Sequence, residues 1–295
     1  MSAQAMAPAG FVTRFAPSPT GLLHLGHAYS ALTAWDAAAS ADGVCLLRIE
    51  DTDTARVRAE YEAAIYEELR WLGLTWPEPV MRQSERHTAY AEALAHLDRL
   101  GVTYPCRCTR ADIRSALAAP QEGADPSLAA PAVYPGTCSN RAMSEAGPSE
   151  AIRLNLDHAL RLTEGQSLRW TETGPAHAGC HTLDPPVLRE GVGDVVLARK
   201  DIGTAAYHLA VVVDDATQGV THIVRGEDLL EATPIHRLLQ ALLELPVPVW
   251  HHHALVRDED GKRLAKRDNA RAIRTYRQAG LTPADVRHLS EDSTR

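Results

Sequence analysis

"RFAPSPTGLLHLGHA", residues Arg14–Ala28, joins the apolar, strand-like "GFVTRFA" (Gly10–Ala16) to an alanine-rich segment at 26–41 that reads as a helix. Pro17 and Pro19 restrict the backbone and hold the chain extended after the strand. Gly21 permits a tight turn or the close approach of a ligand. The helix then starts near His24–Gly26, and a helix N-terminus that follows the first strand of an open α/β sheet is an anion site. Gly26 has no side chain, so a flat adenine or ribose can lie on its backbone. His24 and His27, three residues apart, share one helical face and can donate hydrogen bonds to phosphate oxygens, more strongly as charge develops there. Two rival readings are a zinc pair, which lacks an acidic base or third ligand beside it, and plain surface polarity.

Outward from this stretch, strand and helix patterns alternate over residues 10–101. "VCLLRI" at 44–49 is a buried-strand run. "EDTDTARVRAEYEAAIYEELRWLGL" follows, with Asp51 to Thr54 as helix caps and an apolar stripe through Ile65, Leu69 and Leu72. Glu85–Gly101 reads as a further amphipathic helix. This order implies a parallel sheet with crossover helices. From 102 to 195 the texture changes. "APQEGADPSLAAPAVYPGTC" is a Pro/Gly/Ala-rich loop, and "AIRLNL" and "SLRWTE" read as antiparallel strands. "AYHLAVVVDDATQGVTHIVRG" resumes the buried-strand character, and 229–244 is an amphipathic helix. The division expected is a Rossmann-type core at 10–101 and 196–250, an inserted zinc-bearing subdomain at 102–195, and a loop with a helical tail at 251–295.

The bulk properties set limits. The 295 residues carry 45% hydrophobic and 23% charged side chains, an ordinary globular composition. No apolar run approaches the roughly 18 residues of a membrane span. The start "MSAQAMAPAG" lacks the charge and apolar core of a secretory signal. Five cysteines without a signal favour a reducing, cytoplasmic setting. A net charge of −8 excludes a generic polyanion binder, so any nucleic acid must be met by local basic patches. One such patch is the run Lys262, Arg263, Lys266, Arg267, Arg271, Arg274 and Arg277. Its last three arginines repeat every three residues, as one side of a helix would present them to a phosphate backbone; a solvated basic face is the alternative. Cys106, Cys108 and Cys138 offer three thiolates for zinc with one further ligand, or are free buried cysteines. The consecutive His251, His252 and His253 alternate sides on a strand, cannot converge on one ion, and read as structural.

Residues 14–28 resemble the first signature of class I aminoacyl-tRNA synthetases of the glutamyl/glutaminyl type, with the HIGH motif as His24-Leu25-Gly26-His27. "LLRIEDTD" (46–53) resembles the family's second block, "YHLAVVVDDATQGVTHIVRGEDL" (207–229) the block that closes its amino-acid pocket, and "GKRLAKRD" (261–268) its KMSKS loop. The resemblance implies ATP with Mg2+, L-glutamate, and a glutamyl-adenylate intermediate. It places Arg14, Phe15, Ala16, Pro17 and Ser18, together with Glu50, Tyr207 and Arg225, around glutamate. Arginine suits bidentate carboxylate recognition, and Glu50 would meet the ammonium; taken alone, Glu50 and Asp51 read as capping acids. His24, Gly26, His27 and Lys266 would bind ATP, with His24, His27 and Lys266 stabilising the transition state. The loop departs from the pattern in lacking the first lysine and the serine. The family's insert binds zinc through C-x-C and Y-x-x-x-C, which implies Cys106, Cys108, Tyr134 and Cys138 as ligands, with Cys180 or His181 as substitutes for the fourth. About 27 residues follow Asp268, where a full glutamyl enzyme carries an anticodon-binding region. The expectation is therefore the truncated branch of the family, which attaches glutamate to the queuosine at the wobble base of tRNA(Asp). Charging of a tRNA acceptor end, or binding without catalysis, are the alternatives.

Overall fold

The computed structural model describes residues 10–109, 111–113, 133–199, 205–257 and 271–294. Strand β1 (Val12–Phe15) leads through the quoted turn into helix α1 (Leu25–Ser40), then β2 (Val44–Ile49), α2 (Ala59–Trp71) and β3 (Met81–Arg82). β1 and β3 flank β2, and both pairs are parallel. Ala28, Ala31, Ala34 and Ala38 form a buried stripe on α1, so small side chains let this helix lie close on the sheet. Leu23, Leu32, Leu47, Ile49, Ile65 and Leu69 close the core on that side.

Helix α3 (His87–Arg99) and β4 (Thr103–Cys106) follow, then β5 (Ala151–Leu154), α4 (Leu156–Leu162), β6 (Arg169–Glu172), β7 (Gly179–Thr182), α5 (Pro185–Gly191) and β8 (Val196–Ala198). β4, β5 and β8 form a separate antiparallel sheet. The last third comprises α6 (Tyr207–Thr217), β9 (His222–Gly226), α7 (Thr233–Leu242), β10 (Val249–His253), α8 (Ile273–Gln278) and α9 (Pro283–Asp292). β10 pairs in parallel with both β9 and β6, and β6 pairs antiparallel with β7. Thr221, at the head of β9, donates its N–H to the Val12 carbonyl at 2.9 Å, which sets β9 alongside β1. The order across the molecule is thus β3-β2-β1, then β9-β10-β6-β7.

Several local expectations change. Tyr207–Thr217 is a helix, not a strand. Leu209 to Val212 are all buried between α3, α7 and β8, so burial on every side hides the helical period and overrides the preference of valine for strands. "SLRWTE" supplies β6, which is parallel to the core strand β10 as well as antiparallel to β7. Asp51 does not cap α2, whose N-cap is Arg58. Its carboxylate accepts the N–H and hydroxyl of Ser84 at 2.7 and 2.6 Å. Of the tail arginines, Arg271 precedes α8 and lies over the Tyr276 ring, while Arg274 and Arg277 are on α8, exposed, and pair at the surface with Glu68 and Glu67 of α2 at 3.5 and 2.8 Å. Among the described residues no helix is long and apolar enough to cross a membrane.

Candidate active site

The carboxyl ends of β1, β2, β9 and β10 open into a cleft of about 470 Å³, where an open α/β sheet places its ligands. Arg14, Phe15, Ala16, Pro17 and Ser18 form one wall, Glu50 the floor beyond β2, and Tyr207 and Arg225 the far side. His24, Gly26 and His27 bring the N-terminus of α1 to its rim. The described candidates for glutamate and ATP therefore share one cleft; Lys266 lies outside the described residues.

The two histidines cap α1 reciprocally. His24 Nδ1 accepts the Gly26 N–H at 3.2 Å, and His27 Nδ1 accepts the His24 N–H at 3.1 Å. With both Nδ1 atoms accepting, each neutral ring carries its proton on Nε2. The cap thus fixes two N–H donors beside the positive end of a 16-residue helix. Gly26 suits this arrangement: a Cβ there would stand 3.1 Å from His24 Cε1 and 3.2 Å from Nδ1, so the ring would have to give by a few tenths of an ångström.

Arg14 reaches the cleft from β1 and is held from behind. Its Nε donates to Asp215 Oδ1 at 3.0 Å, and the same oxygen accepts Arg48 Nη1 at 2.6 Å. Arg48 is fully buried and also donates to Glu50 Oε1 at 3.3 Å. Burial works to raise the Asp215 pKa, but the guanidiniums of Arg14 and Arg48 outweigh it and hold the carboxyl below its usual range. For Glu50 burial prevails over Arg48 and Arg14, and its pKa lies above the usual range.

Arg225 is held differently. Its Nε donates to His252 Nε2 at 2.9 Å, and its Nη2 to the Leu229 carbonyl and the Thr233 hydroxyl at 3.0 and 2.8 Å. Nη1 makes longer bonds to Tyr207 Oη (3.4 Å) and His236 Nδ1 (3.3 Å). These five contacts are all to neutral groups. Burial, then the charge of Arg225, pushes His252 down to about 4 and His236 well below its ordinary value, so both rings are uncharged at neutral pH. A buried guanidinium without a carboxylate partner is a receptor for an anion. Arg14 and Arg225 are the guanidiniums that line the cleft, together with the carboxyl groups of Glu50 and Asp228; Arg14 is paired with Asp215 behind it, and among the described residues Arg225 contacts no carboxylate.

Arg48, Asp215 and His236 escaped the sequence reading, which takes His252 only as structural. The acid pair inside the apolar "VVVDDAT" and the apolar setting of "VWHHHALV" were signals for two of them.

In the separate sheet region, Cys106, Cys108 and Cys138 place their sulfurs within 4.8 Å of one another, and among the described residues this is the one group of three or more His, Cys, Asp or Glu side chains that could hold an ion. Cys108 Sγ lies 3.6 Å from Cys138 Sγ, and Tyr134 Oη is 3.4 Å from both Cys106 Sγ and Cys108 Sγ. A tetrahedral zinc with bonds of about 2.3 Å to sulfur has ligand–ligand edges of about 3.8 Å, slightly shorter to oxygen. The donor set fits that ion. Cys180 and His181 lie on β7, paired with β6 in the other sheet, and His181 stacks on Trp170.

A parallel α/β core whose first helix opens, capped by two histidines, onto a cleft at the carboxyl ends of its strands is the architecture of the class I synthetases. Residues 11–289 match the family of class I tRNA synthetases (E and Q), catalytic domain, and the chain belongs to that family. It is 55% identical over 281 residues to the glutamyl-Q tRNA(Asp) synthetase of Rhodobacter capsulatus, covering 94% of this chain and 99% of that protein. It is 37% identical to the glutamate–tRNA ligase of Aquifex aeolicus over 92% of this chain and 54% of the ligase. A crystal structure of a glutamate tRNA ligase from Elizabethkingia meningosepticum in complex with its amino acid superposes with a TM-score of 0.69 at 26% identity, over 88% of this chain and 52% of that one. The chain spans about half the length of these ligases.

Proposed function

We propose that this chain activates L-glutamate with ATP and transfers the glutamyl group to the queuosine of tRNA(Asp). The observation that carries the first half is the set of groups on the cleft lining, two guanidiniums, Arg14 and Arg225, with the carboxyl of Glu50. Free glutamate has two carboxylates and one ammonium, which these three groups complement. Arg225 receives one carboxylate by exchanging its two long Nη1 bonds, Arg14 faces the other, and Glu50 receives the ammonium. Binding an ammonium draws the Glu50 carboxyl back toward its ionised form.

In the first step a carboxylate oxygen of glutamate attacks the α-phosphorus of ATP. The bond from that phosphorus to the bridging oxygen breaks, and pyrophosphate leaves with the electron pair. His24 and His27 present Nε2–H to the phosphate oxygens at the N-terminus of α1, where added negative charge is stabilised before it forms. Holding the two reactants in one cleft supplies much of the remaining rate. Magnesium would neutralise the ATP phosphates. In the second step a hydroxyl of the acceptor attacks the activated carbonyl carbon and AMP leaves. The thiol cluster with Tyr134 would hold one structural zinc, closed to solvent and outside this chemistry. The division into 10–101 with 196–250, 102–195 and 251–295 belongs to the same proposal, with β6 and β7 tied into the core sheet by β10.

The acceptor assignment is supported by the relative that matches along 99% of its length. The test is transfer of labelled glutamate to tRNA(Asp) with and without queuosine, alongside tRNA(Glu). Label that requires queuosine and is released with the anticodon loop is expected. Label on the acceptor end, or equal labelling of tRNA(Glu), would restore the reading as a glutamate–tRNA ligase.

A further inference from the structure

Arg225 belongs to a row of three buried side chains that crosses the sheet. On the parallel strands β6, β10 and β9, Trp250 stands opposite Glu172 and His252 opposite Arg225. His252 Nε2 accepts the Nε–H of Arg225 at 2.9 Å, and its Nδ1 contacts Glu172 Oε2. Because Arg225 can only donate, Nε2 has no proton, and the neutral ring must carry it on Nδ1, pointing at Glu172. Glu172 is fixed in turn. Its Oε1 accepts the backbone N–H groups of His252 and Gly174 at 2.9 and 2.6 Å. A Cβ at Gly174 would stand 2.2 Å from the His252 carbonyl oxygen and 2.8 Å from Glu172 Oε1, so the curl of Glu172 back onto its own strand requires glycine there.

Arg14 and Arg48 share the carboxylate of Asp215 directly. Arg225 is linked to the carboxylate of Glu172 only through an imidazole. A direct ion pair would occupy the guanidinium and neutralise it; a neutral ring between the two fixes the Nε edge of the arginine and leaves its charge uncompensated. We propose that His252, backed by Glu172, is the positioning residue that holds Arg225 for a ligand carboxylate. This rests on reading the cleft as a glutamate site.

Glu172→Gln tests it without changing shape. The amide oxygen can keep the two backbone N–H bonds, but its NH2 then faces His252 Nδ1. That nitrogen must become an acceptor, the ring proton moves to Nε2, and two donors oppose each other at Arg225. Heteronuclear NMR of the histidine ring nitrogens should find the His252 proton on Nδ1 in the wild type and on Nε2 in the variant. In ATP–pyrophosphate exchange the KM for glutamate should rise roughly 10- to 150-fold, as expected for a lost hydrogen bond to a charged group, while kcat and the KM for ATP stay within about threefold. A purely structural role would lower thermal stability and leave the KM for glutamate in place. A wild-type proton on Nε2, or an unchanged KM for glutamate in the variant, overturns the inference. A wild type without glutamate-dependent exchange overturns the reading of the cleft instead, and the ring tautomers still decide the hydrogen-bond chain.

Discussion

Asp215→Asn removes the one charge on which Arg14 of the cleft and the buried Arg48 behind it converge. Oδ1 of Asp215 lies 3.0 Å from Arg14 Nε and 2.6 Å from Arg48 Nη1, and Arg48 is fully buried. The amide keeps an acceptor oxygen but no negative charge, so both guanidiniums lose their principal counter-ion. Breaking a buried ion pair by removing one partner costs about 3–5 kcal/mol. Glu50 still reaches Arg48 at 3.3 Å, which points to the lower half of that range. With about 2.1 cal/mol/K of unfolding entropy per residue and 295 residues, the corresponding fall in Tm is roughly 5–6 °C. The folded-state pKa of Asp215 lies below its unfolded value of about 3.9. Its contribution is therefore complete above that value and is lost only as pH falls through the folded pKa. The deficit of the variant should be the same at pH 6 and pH 8. Scanning calorimetry on the wild type, Asp215→Asn, Arg48→Met and the double variant measures it. Because Arg48→Met removes a charge that Asp215→Asn strands, the double variant should be more stable than the sum of the singles by at least about 1 kcal/mol. A Tm loss under about 2 °C, or strictly additive losses, would refute the account of Asp215 as the counter-ion of both arginines.

Gly26→Ala should raise the KM for ATP about tenfold with little change for glutamate, since its Cβ would stand 3.1 Å from the His24 ring. Stability should barely move, because the helix gain of alanine, about 1 kcal/mol, offsets the loss of a cap of similar size; a wild-type KM for ATP would refute it. Protein purified without added metal should contain about one zinc per chain, and Cys138→Ser should lose it; folded, active wild type with less than about a tenth of an equivalent would exclude the metal. His208 and His252 are both pushed to about 4, by burial first and then by the charge of Arg225. The unfolded chain binds their protons near pH 6.5 and the folded one does not, so stability should fall by roughly 3 kcal/mol per histidine between pH 6.5 and 4. Unfolding midpoints that stay flat from pH 7 to 5 would contradict this.

Much of the first half of the fold was legible because its signals are local. The helix expected at 26–41 spans Leu25–Ser40, and the strand expected at 44–49 is Val44–Ile49. Proline, glycine and an alanine stripe act within a few residues of themselves. The misread α6 shows the opposite case. Its strand-like run of buried residues is produced by neighbours more than a hundred residues away in α3 and by α7 and β8, and no local period records them. The site divides along the same line. Residues that point into the cleft sit inside recognisable blocks, and so do Arg48 and Asp215, but nothing in a block says which of its polar residues will pair with which, and Glu172, His236 and His252 lie outside the blocks. Asp215 braces Arg14 across 201 positions, and Glu172 reaches His252 across 80. The tail arginines had a helical spacing, but spacing alone could not say that Glu67 and Glu68 would claim two of them.

On the proposed reading of the cleft, the two ways of holding an arginine divide the labour. Arg14 is tied to Asp215, which Arg48 also shares, so its guanidinium is partly neutralised and well oriented. It suits a carboxylate that must react, because a fully uncompensated cation would grip that group in the ground state as firmly as in the transition state and add nothing to the rate. Arg225 is surrounded by neutral acceptors and keeps its full charge. It suits the carboxylate that remains unreacted throughout, where uniform binding is what recognition needs. A substrate with a single carboxylate could satisfy one of these arginines but would leave the other without its anion. On the proposed reading, the cost of that omission, about 2–5 kcal/mol for an unpaired buried charge, is what would favour a dicarboxylic amino acid over its amide.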